Sequence, residues 1–173
     1  IIPLKNTYVQ GSVLDVGSGA GFPGLVWKIM KPELQVTLLE PTGKRCTFLK
    51  EVISHLHLEN ILVVNERAEE FVINHRESFD VVTARAVANL NVLSELCVPL
   101  VKVGGYFYAL KGAKGKEEEL SASKAMTILG MELKEEEHYT LPSGERVNLI
   151  YVKVKPTDKK YPRNYGQIKK KPL

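Results

Sequence analysis

Residues 13–24 read VLDVGSGAGFPG. A short β-branched run closes on an acid, Asp15, and three glycines follow in alternation at Gly17, Gly19 and Gly21. The next segment, GLVWKIM (24–30), has the composition of a helix. Pro23 suits a helix start, where its missing N–H would have no intrahelical partner anyway. Glycines at this density let the backbone turn sharply and approach a ligand closely. The helix start also presents free N–H groups to whatever sits above the strand. The following apolar run, VTLLE (36–40), closes on a second acid, Glu40. Strand, glycine turn, helix, strand, acid is the pattern of a nucleoside-cofactor site in an α/β sheet.

The spacing selects among cofactors. Counted from Gly17, the dinucleotide fingerprint needs a glycine three positions after its second glycine, and Phe22 stands there instead. No G-x-x-x-x-G-K-[ST] occurs, which disfavours a P-loop. G-x-G-x-G followed by an acid at the end of the second strand suits S-adenosyl-L-methionine (AdoMet). The turn makes room for the methionine part, Glu40 accepts from the ribose hydroxyls, and Asp15 meets the ammonium group. An ordinary tight turn in a sheet would account for the glycines but not for two acids in this register.

Around this centre the chain alternates strand and helix. Strands are expected at 13–16, 35–39, 61–65, 79–83 and 106–110. Helices are expected at 24–30, 43 to about 58, 68–74 and 116–129, with another around Leu93, Leu96, Cys97 and Leu100. In the second helix Leu49, Val52, Ile53 and Leu56 fall on one stripe. Two further strands, near 131–139 and 146–154, have only the turn Pro142-Ser143-Gly144 between them and predict an antiparallel hairpin at a sheet edge. The fold class is therefore α/β, a doubly wound, mostly parallel seven-stranded sheet of Rossmann-like type with an antiparallel C-terminal hairpin. Ligands of such sheets collect at the carboxyl ends of the strands. That rule gathers Gly17, Glu40, the residues after Asn65, Thr83–Arg85 and Lys111 around one opening.

The chain has 173 residues, 44% hydrophobic and 25% charged, which suits one soluble domain. No apolar run approaches a membrane span, and no signal-peptide pattern opens the chain. Cys46 and Cys97 form no metal-ligand spacing, no metal site is expected, and the cysteine usage points to a reduced, cytoplasmic setting. The net charge is +4, but from Lys153 onward there are eight Lys/Arg and one acid, Asp158, a balance of +7 that leaves −3 for the rest. The basicity is thus concentrated in one tail, a candidate polyanion contact. Tyr161 and Tyr165 interleave the charges and favour nucleic acid, since aromatic rings stack on bases.

DVGSGAGFPG (15–24), LLEPTGKRCTFL (38–49), ERAEEF (66–71), FDVVTARAVANL (79–90), GGYFYALKG (104–112), LPSGER (141–146) and KYPRNYGQIKKKPL (160–173) span nearly the whole chain. In these segments it resembles the bacterial RsmG/GidB family, which methylates guanine N7 in small-subunit (16S) ribosomal RNA. Family members carry a helical segment of some tens of residues before the first strand, whereas the first strand here begins at Val13. The resemblance implies a class I AdoMet methyltransferase domain over 1–154, followed by a basic tail over 155–173 that packs on it or extends from it. Cofactor positions carry over to Gly17, Phe22, Ala68, Glu69 and Arg85. They join Asp15, Gly19 and Glu40 from the residue pattern. Phe22 can cover the cofactor, Ala68 lets the chain approach the adenine plane, and Glu69 can meet an adenine edge.

Guanine N7 has a lone pair and needs no deprotonation, so positioning does most of the work and no general base is nominated. Arg85, Lys111 and Arg163 are expected to hold the guanine O6 edge and flanking phosphates, with Lys44 and Arg45 as further phosphate contacts. Cys97 sits in an apolar stripe and reads as a core residue rather than a nucleophile. His55 and His57 have no partner motif and read as structural. Two other functions share parts of this pattern. A small-molecule AdoMet methyltransferase needs no basic tail, and a nucleotide- or RNA-binding module transfers no methyl group.

Overall fold

The computed structural model describes residues 8–85, 87–142 and 144–173. Ala86 of the T-A-R-A motif and Ser143 of the expected turn lie outside them. Among the described residues, seven strands and six α-helices follow one another as β1 (Ser12–Val16), α1 (Gly24–Met30), β2 (Gln35–Leu39), α2 (Gly43–His55), β3 (Ile61–Val64), α3 (Ala68–His75), β4 (Phe79–Arg85), α4 (Leu90–Cys97), β5 (Val101–Gly112), α5 (Gly115–Leu129), β6 (Met131–Leu141), β7 (Gly144–Lys153) and α6 (Tyr165–Lys170). The strand order is β3-β2-β1-β4-β5-β7-β6. The first five strands are mutually parallel, and β7 runs antiparallel to both β5 and β6. The expected doubly wound sheet with an edge hairpin is the observed one.

Chain order reverses between β1 and β4, so the crevice of the sheet opens above that pair. β1 is covered on both faces, and Val13, Leu14, Asp15 and Val16 are all buried. That explains why it reads as a continuous apolar run broken only by its acid. One face of the sheet packs Val13, Val36 and Leu38 against Trp27 of α1 and Leu49 of α2. Trp27 meets Tyr108 edge-on, with ring centroids 5.6 Å apart. The other face packs Leu14, Val82 and Phe107 against Phe71 of α3, Leu93 and Cys97 of α4 and Met126 of α5. Cys97 is fully buried, and burial pushes its thiol pKa far up, as befits a core residue.

Three local expectations shift. Helix α2 stops at His55 rather than near residue 58, because His57 and Asn60 take left-handed backbone angles (φ 50° and 52°) and Leu56 is left 46% exposed. Strand β5 begins at Val101, before the Gly104-Gly105 pair expected to precede it. Val101 pairs with Phe79 and Tyr106 with Val81, so the glycines form a bulge inside the strand. A Cβ at Gly105 would stand 2.7 Å from the Asp80 carbonyl oxygen, closer than a side chain tolerates. The third shift is α6, a helix inside the charged tail that its sequence did not announce.

Residues after Lys153 lie against the domain. Thr157 donates through Oγ1 to the Leu129 carbonyl at 2.8 Å, and its N–H donates to Glu77 at 2.9 Å. Arg76 donates to the carbonyls of Thr157 and Tyr161. Tyr161 and Ile168 are buried in the same cluster as α4. No helix among the described residues is long and apolar enough to cross a membrane.

Candidate active site

The glycine turn hangs from the end of β2. The N–H groups of Gly17 and Ser18 both donate to the Leu39 carbonyl, at 2.8 and 3.2 Å. Gly17, Gly19 and Gly21 all have positive φ (70°, 58° and 94°), a region open to glycine at no steric cost. Gly17 also has a neighbour overhead: a Cβ there would lie 2.7 Å from Val87 Cγ2, in the segment after β4. The turn is therefore built so that the β4–α4 segment can rest on it.

The two acids sit on either side of the turn. Glu40 is 1% exposed. Its Oε2 accepts from the Gly19 N–H and its Oε1 from the Thr42 N–H, both at 2.9 Å. Burial works to raise its pKa, but the Thr42 and Gly19 hydrogen bonds and the Arg45 guanidinium outweigh it and hold the carboxyl below its ordinary value. Arg45 approaches to 3.7 Å, so this side chain, expected at phosphate, is engaged with Glu40. Asn65, just after β3, donates through Nδ2 to the Glu40 carbonyl at 2.9 Å and so ties the ends of β2 and β3 together.

Asp15 is fully buried. Its Oδ2 accepts from the Gly24 N–H at 2.9 Å, at the first residue of α1. Its Oδ1 is buried with no hydrogen-bond partner among the described residues. Burial raises the carboxyl pKa to about 7, against the Gly24 N–H, the Arg85 charge and Ser18. A buried, unpartnered carboxylate oxygen costs free energy, and a cationic ligand group placed on it would recover that cost. The residues present thus fit a ligand carrying an ammonium group and a diol: an orphaned carboxylate oxygen on one side, and spare lone pairs on a second carboxylate on the other.

Across the opening, Arg85 ends β4 with its guanidinium carbon 5.0 Å from the centre of the Phe22 ring. Phe22 is 46% exposed, so the pair stands at the rim. Ala68 is buried at the start of α3, and Glu69 beside it lies 4.0 Å from Arg67. The β6–β7 hairpin continues the sheet beyond β5, and Arg146 pairs with Gly112 at the end of β5 and with Tyr139 on β6.

Two residues expected at the substrate have partners within the protein. Lys111 is at the opening but 8% exposed. Its Nζ donates to the Ala88 carbonyl at 2.7 Å and pairs with Glu118 at 2.8 Å, so its charge is spent inside the protein. Arg163 is likewise engaged within the protein. It pairs with the buried Glu95 of α4 through Nε–Oε1 at 2.8 Å and Nη2–Oε2 at 2.6 Å, and it also donates to the Lys171 carbonyl. A bidentate pair of this kind is a strong anchor and leaves no free fork for guanine.

Residues 2–147 match the family described as GidB, rRNA small subunit methyltransferase G. The chain belongs to this family. A ribosomal RNA small subunit methyltransferase G of Lysinibacillus sphaericus (strain C3-41) is 54% identical over 166 residues, 94% of this chain and 70% of that protein. The methyltransferase G of Thermotoga neapolitana is 49% identical over 174 residues, 100% of this chain and 76% of that protein. Among solved structures, a variant of the 16S rRNA (adenine(1408)-N(1))-methyltransferase from Catenulisporales acidiphilia superposes with TM-score 0.69 at 17% identity, covering 87% of this chain and 88% of that one. A SAM-dependent O-methyltransferase from Thermotoga maritima gives TM-score 0.66 at 15% identity, covering 91% and 65%. These two likenesses are likenesses of fold.

In this methyltransferase G chain, several residues that shape the site escaped the sequence. Thr42 and Asn65 act through a backbone N–H and a side-chain amide, and neither group carries a charge to notice. Val87 is an ordinary apolar residue whose place over Gly17 only the fold reveals. Glu118 lies in the run EEE (117–119), which reads as a solvated helix face. No group of three or more His, Cys, Asp or Glu among the described residues is arranged to hold a metal ion.

Proposed function

We propose that this protein transfers the methyl group of AdoMet to N7 of a guanine in small-subunit (16S) ribosomal RNA. One observation carries the reading: in a chain of the methyltransferase G family, the buried Asp15 carboxylate keeps an unpartnered oxygen beneath a three-glycine turn at the switch point of the sheet. When bound, AdoMet supplies an electrophilic methyl group on a sulfonium sulfur. Asp15 and Glu40 would hold its ammonium and ribose ends, Gly17 and Gly19 would admit its methionine part, and Phe22, Ala68 and Glu69 would bound its adenosine part. Arg85, at the rim, would hold guanine O6 or a flanking phosphate while N7 stays free. N7 already has a lone pair, so the protein's task is alignment rather than proton removal.

The deciding measurement is transfer of labelled methyl to naked 16S rRNA and to small-subunit particles, followed by digestion to nucleosides. N7-methylguanosine on either substrate is the expected product. Cofactor binding without product, or methylation of small molecules only, overturns the reading. Arg85→Ala is expected to lower transfer about 100-fold while cofactor affinity changes less, because alignment is lost at the reacting centre. The tail lysines Lys159, Lys169, Lys170 and Lys171 are exposed and supply cationic surface for the RNA backbone. Changing Lys169, Lys170 and Lys171 together to Gln should flatten the log–log salt dependence of rRNA binding by about one per lost phosphate contact.

Cofactor affinity should also follow Asp15. Its carboxyl is raised to about 7 in the free protein, and a bound ammonium favours the charged form. Protons therefore compete with the cofactor below pH 7, and calorimetry should find binding several-fold weaker at pH 6 than at pH 8. Equal affinity at the two values would remove Asp15 from the ammonium site. The same sign governs the free protein. Protonated Asp15 stabilises the fold fully below its unfolded value of 3.8, and this contribution is lost as pH rises through about 7.

A further inference from the structure

The segment between β4 and α4 is held from outside itself. Lys111, near the end of β5, donates from Nζ to the Ala88 carbonyl at 2.7 Å. The same ammonium pairs with Glu118 Oε2 at 2.8 Å. That one oxygen also accepts the Leu90 N–H at 2.8 Å. Asn89 occupies the N-cap position of α4 but makes no side-chain cap. Glu118, reaching over from α5, therefore supplies an acceptor that the first turn of α4 lacks. A carbonyl and an N–H two residues apart end on a single ion pair.

What that pair holds is the segment facing the glycine turn. Arg85 precedes it and stacks over Phe22, and Val87 rests over Gly17. An apolar pair could fill the same volume at comparable stability, because a shielded ion pair seldom outperforms well-packed hydrophobic groups. An apolar pair could not grip a backbone carbonyl and a backbone N–H at once. The use of charge here is explained by what it fixes.

We infer that Glu118 is a positioning residue for methyl transfer. Acting through Lys111 and the Leu90 N–H, it sets the β4–α4 segment so that Arg85 and Val87 stand correctly over the cofactor turn. The inference rests on the methyl-transfer reading given above. Glu118 contacts none of Asp15, Gly17, Gly19 or Glu40 in the hydrogen bonds and ion pairs described, so its influence runs through the loop.

The test compares wild type, Glu118→Ala, Glu118→Gln and the double variant Lys111→Met/Glu118→Leu, each measured for kcat, rRNA KM, AdoMet affinity and amide exchange over residues 87–93. Glu118→Ala should lower kcat about tenfold, because the segment loses its registration, with AdoMet affinity within about threefold of wild type. Exchange over 87–93 should quicken. Glu118→Gln should recover most of the rate, since its amide oxygen can still accept from both donors. The double variant keeps the packing without the two backbone bonds, so it should fold as stably as wild type yet share the kcat defect of Glu118→Ala. Glu118→Ala or the double variant folded with kcat within about twofold of wild type overturns the inference, as does a loss of thermal stability in either with kcat unchanged. If wild type itself transfers no methyl group, the function proposed above fails, while the exchange rates still decide whether the pair holds the segment.

Discussion

Gly17→Val abolishes AdoMet binding in a protein that still folds: the expected result is a dissociation constant at least about 100-fold higher, with the circular dichroism spectrum unchanged. Two effects act together. The residue sits at φ 70°, where a β-branched side chain is a steric outlier. Its Cβ would also stand 2.7 Å from Val87 Cγ2, so either the turn or the β4–α4 segment must move. The Gly17 N–H fixes the turn to Leu39, and any shift carries Gly19 away from Glu40. Gly104→Ala is the control. Gly104 has φ 83°, and nothing lies within 4 Å of its Cβ position. It belongs to the β5 bulge, away from the turn. That substitution should cost about 1–2 kcal/mol of stability and leave AdoMet affinity alone. Isothermal titration with thermal melts separates the two outcomes. Wild-type affinity in Gly17→Val would mean that the turn is not the cofactor site.

Arg163→Ala should destabilise the fold by about 3 kcal/mol, since it strips the counter-charge from a buried carboxylate. Glu95 is fully buried. It receives the Arg163 backbone N–H at 2.8 Å in addition to the two guanidinium bonds. Without the guanidinium, one backbone donor remains for a whole carboxylate. Glu95→Leu combined with Arg163→Met should regain most of the loss, because neither charge is then stranded. Urea unfolding with an unchanged m-value would report the difference cleanly. If Arg163→Ala melts with wild type, the tail does not stabilise α4 through this pair. The same contacts bear on truncation. Removing everything after Val154 would strip Ile168 and Tyr161 from the core along with the counter-ion of Glu95, so it would unfold the site rather than test the tail for RNA contact. The lysine-to-glutamine changes in α6 and at Lys171 avoid this.

The sheet and the cofactor turn were legible because their signals are local. β1 and β2 are apolar runs closed by acids, the glycines alternate, and the helices carry stripes. Glu40 and Asp15 stood out because a carboxylate closing an apolar run is conspicuous in sequence. The intramolecular partners of Lys111 and Arg163 were not legible, for one shared physical reason. A basic residue near a predicted opening looks available, and its availability depends on a carboxylate that another element brings to it. Glu95 is 68 residues from Arg163, and Glu118, close to Lys111 in sequence, reaches it only because helix α5 folds back. The helix α6 was hidden by the same charge that drew attention to the tail. Its buried contact comes from a single Ile168, too little for a periodic pattern. The early stop of α2 turns on two left-handed residues, His57 and Asn60, neither of them the glycine that usually announces such a stop.

The bond between Glu95 and Arg163 also sets an order of events during synthesis. Helix α4 lies in the middle of the chain, yet its buried acid gains a counter-ion only after 68 further residues have been made. A nascent chain emerging in N-to-C direction can assemble β1 to β4 early, but it must carry α4 with an unmatched carboxylate until Arg163 emerges. Ribosome-bound intermediates halted before Arg163 should accordingly be more open to protease at α4 than at β1.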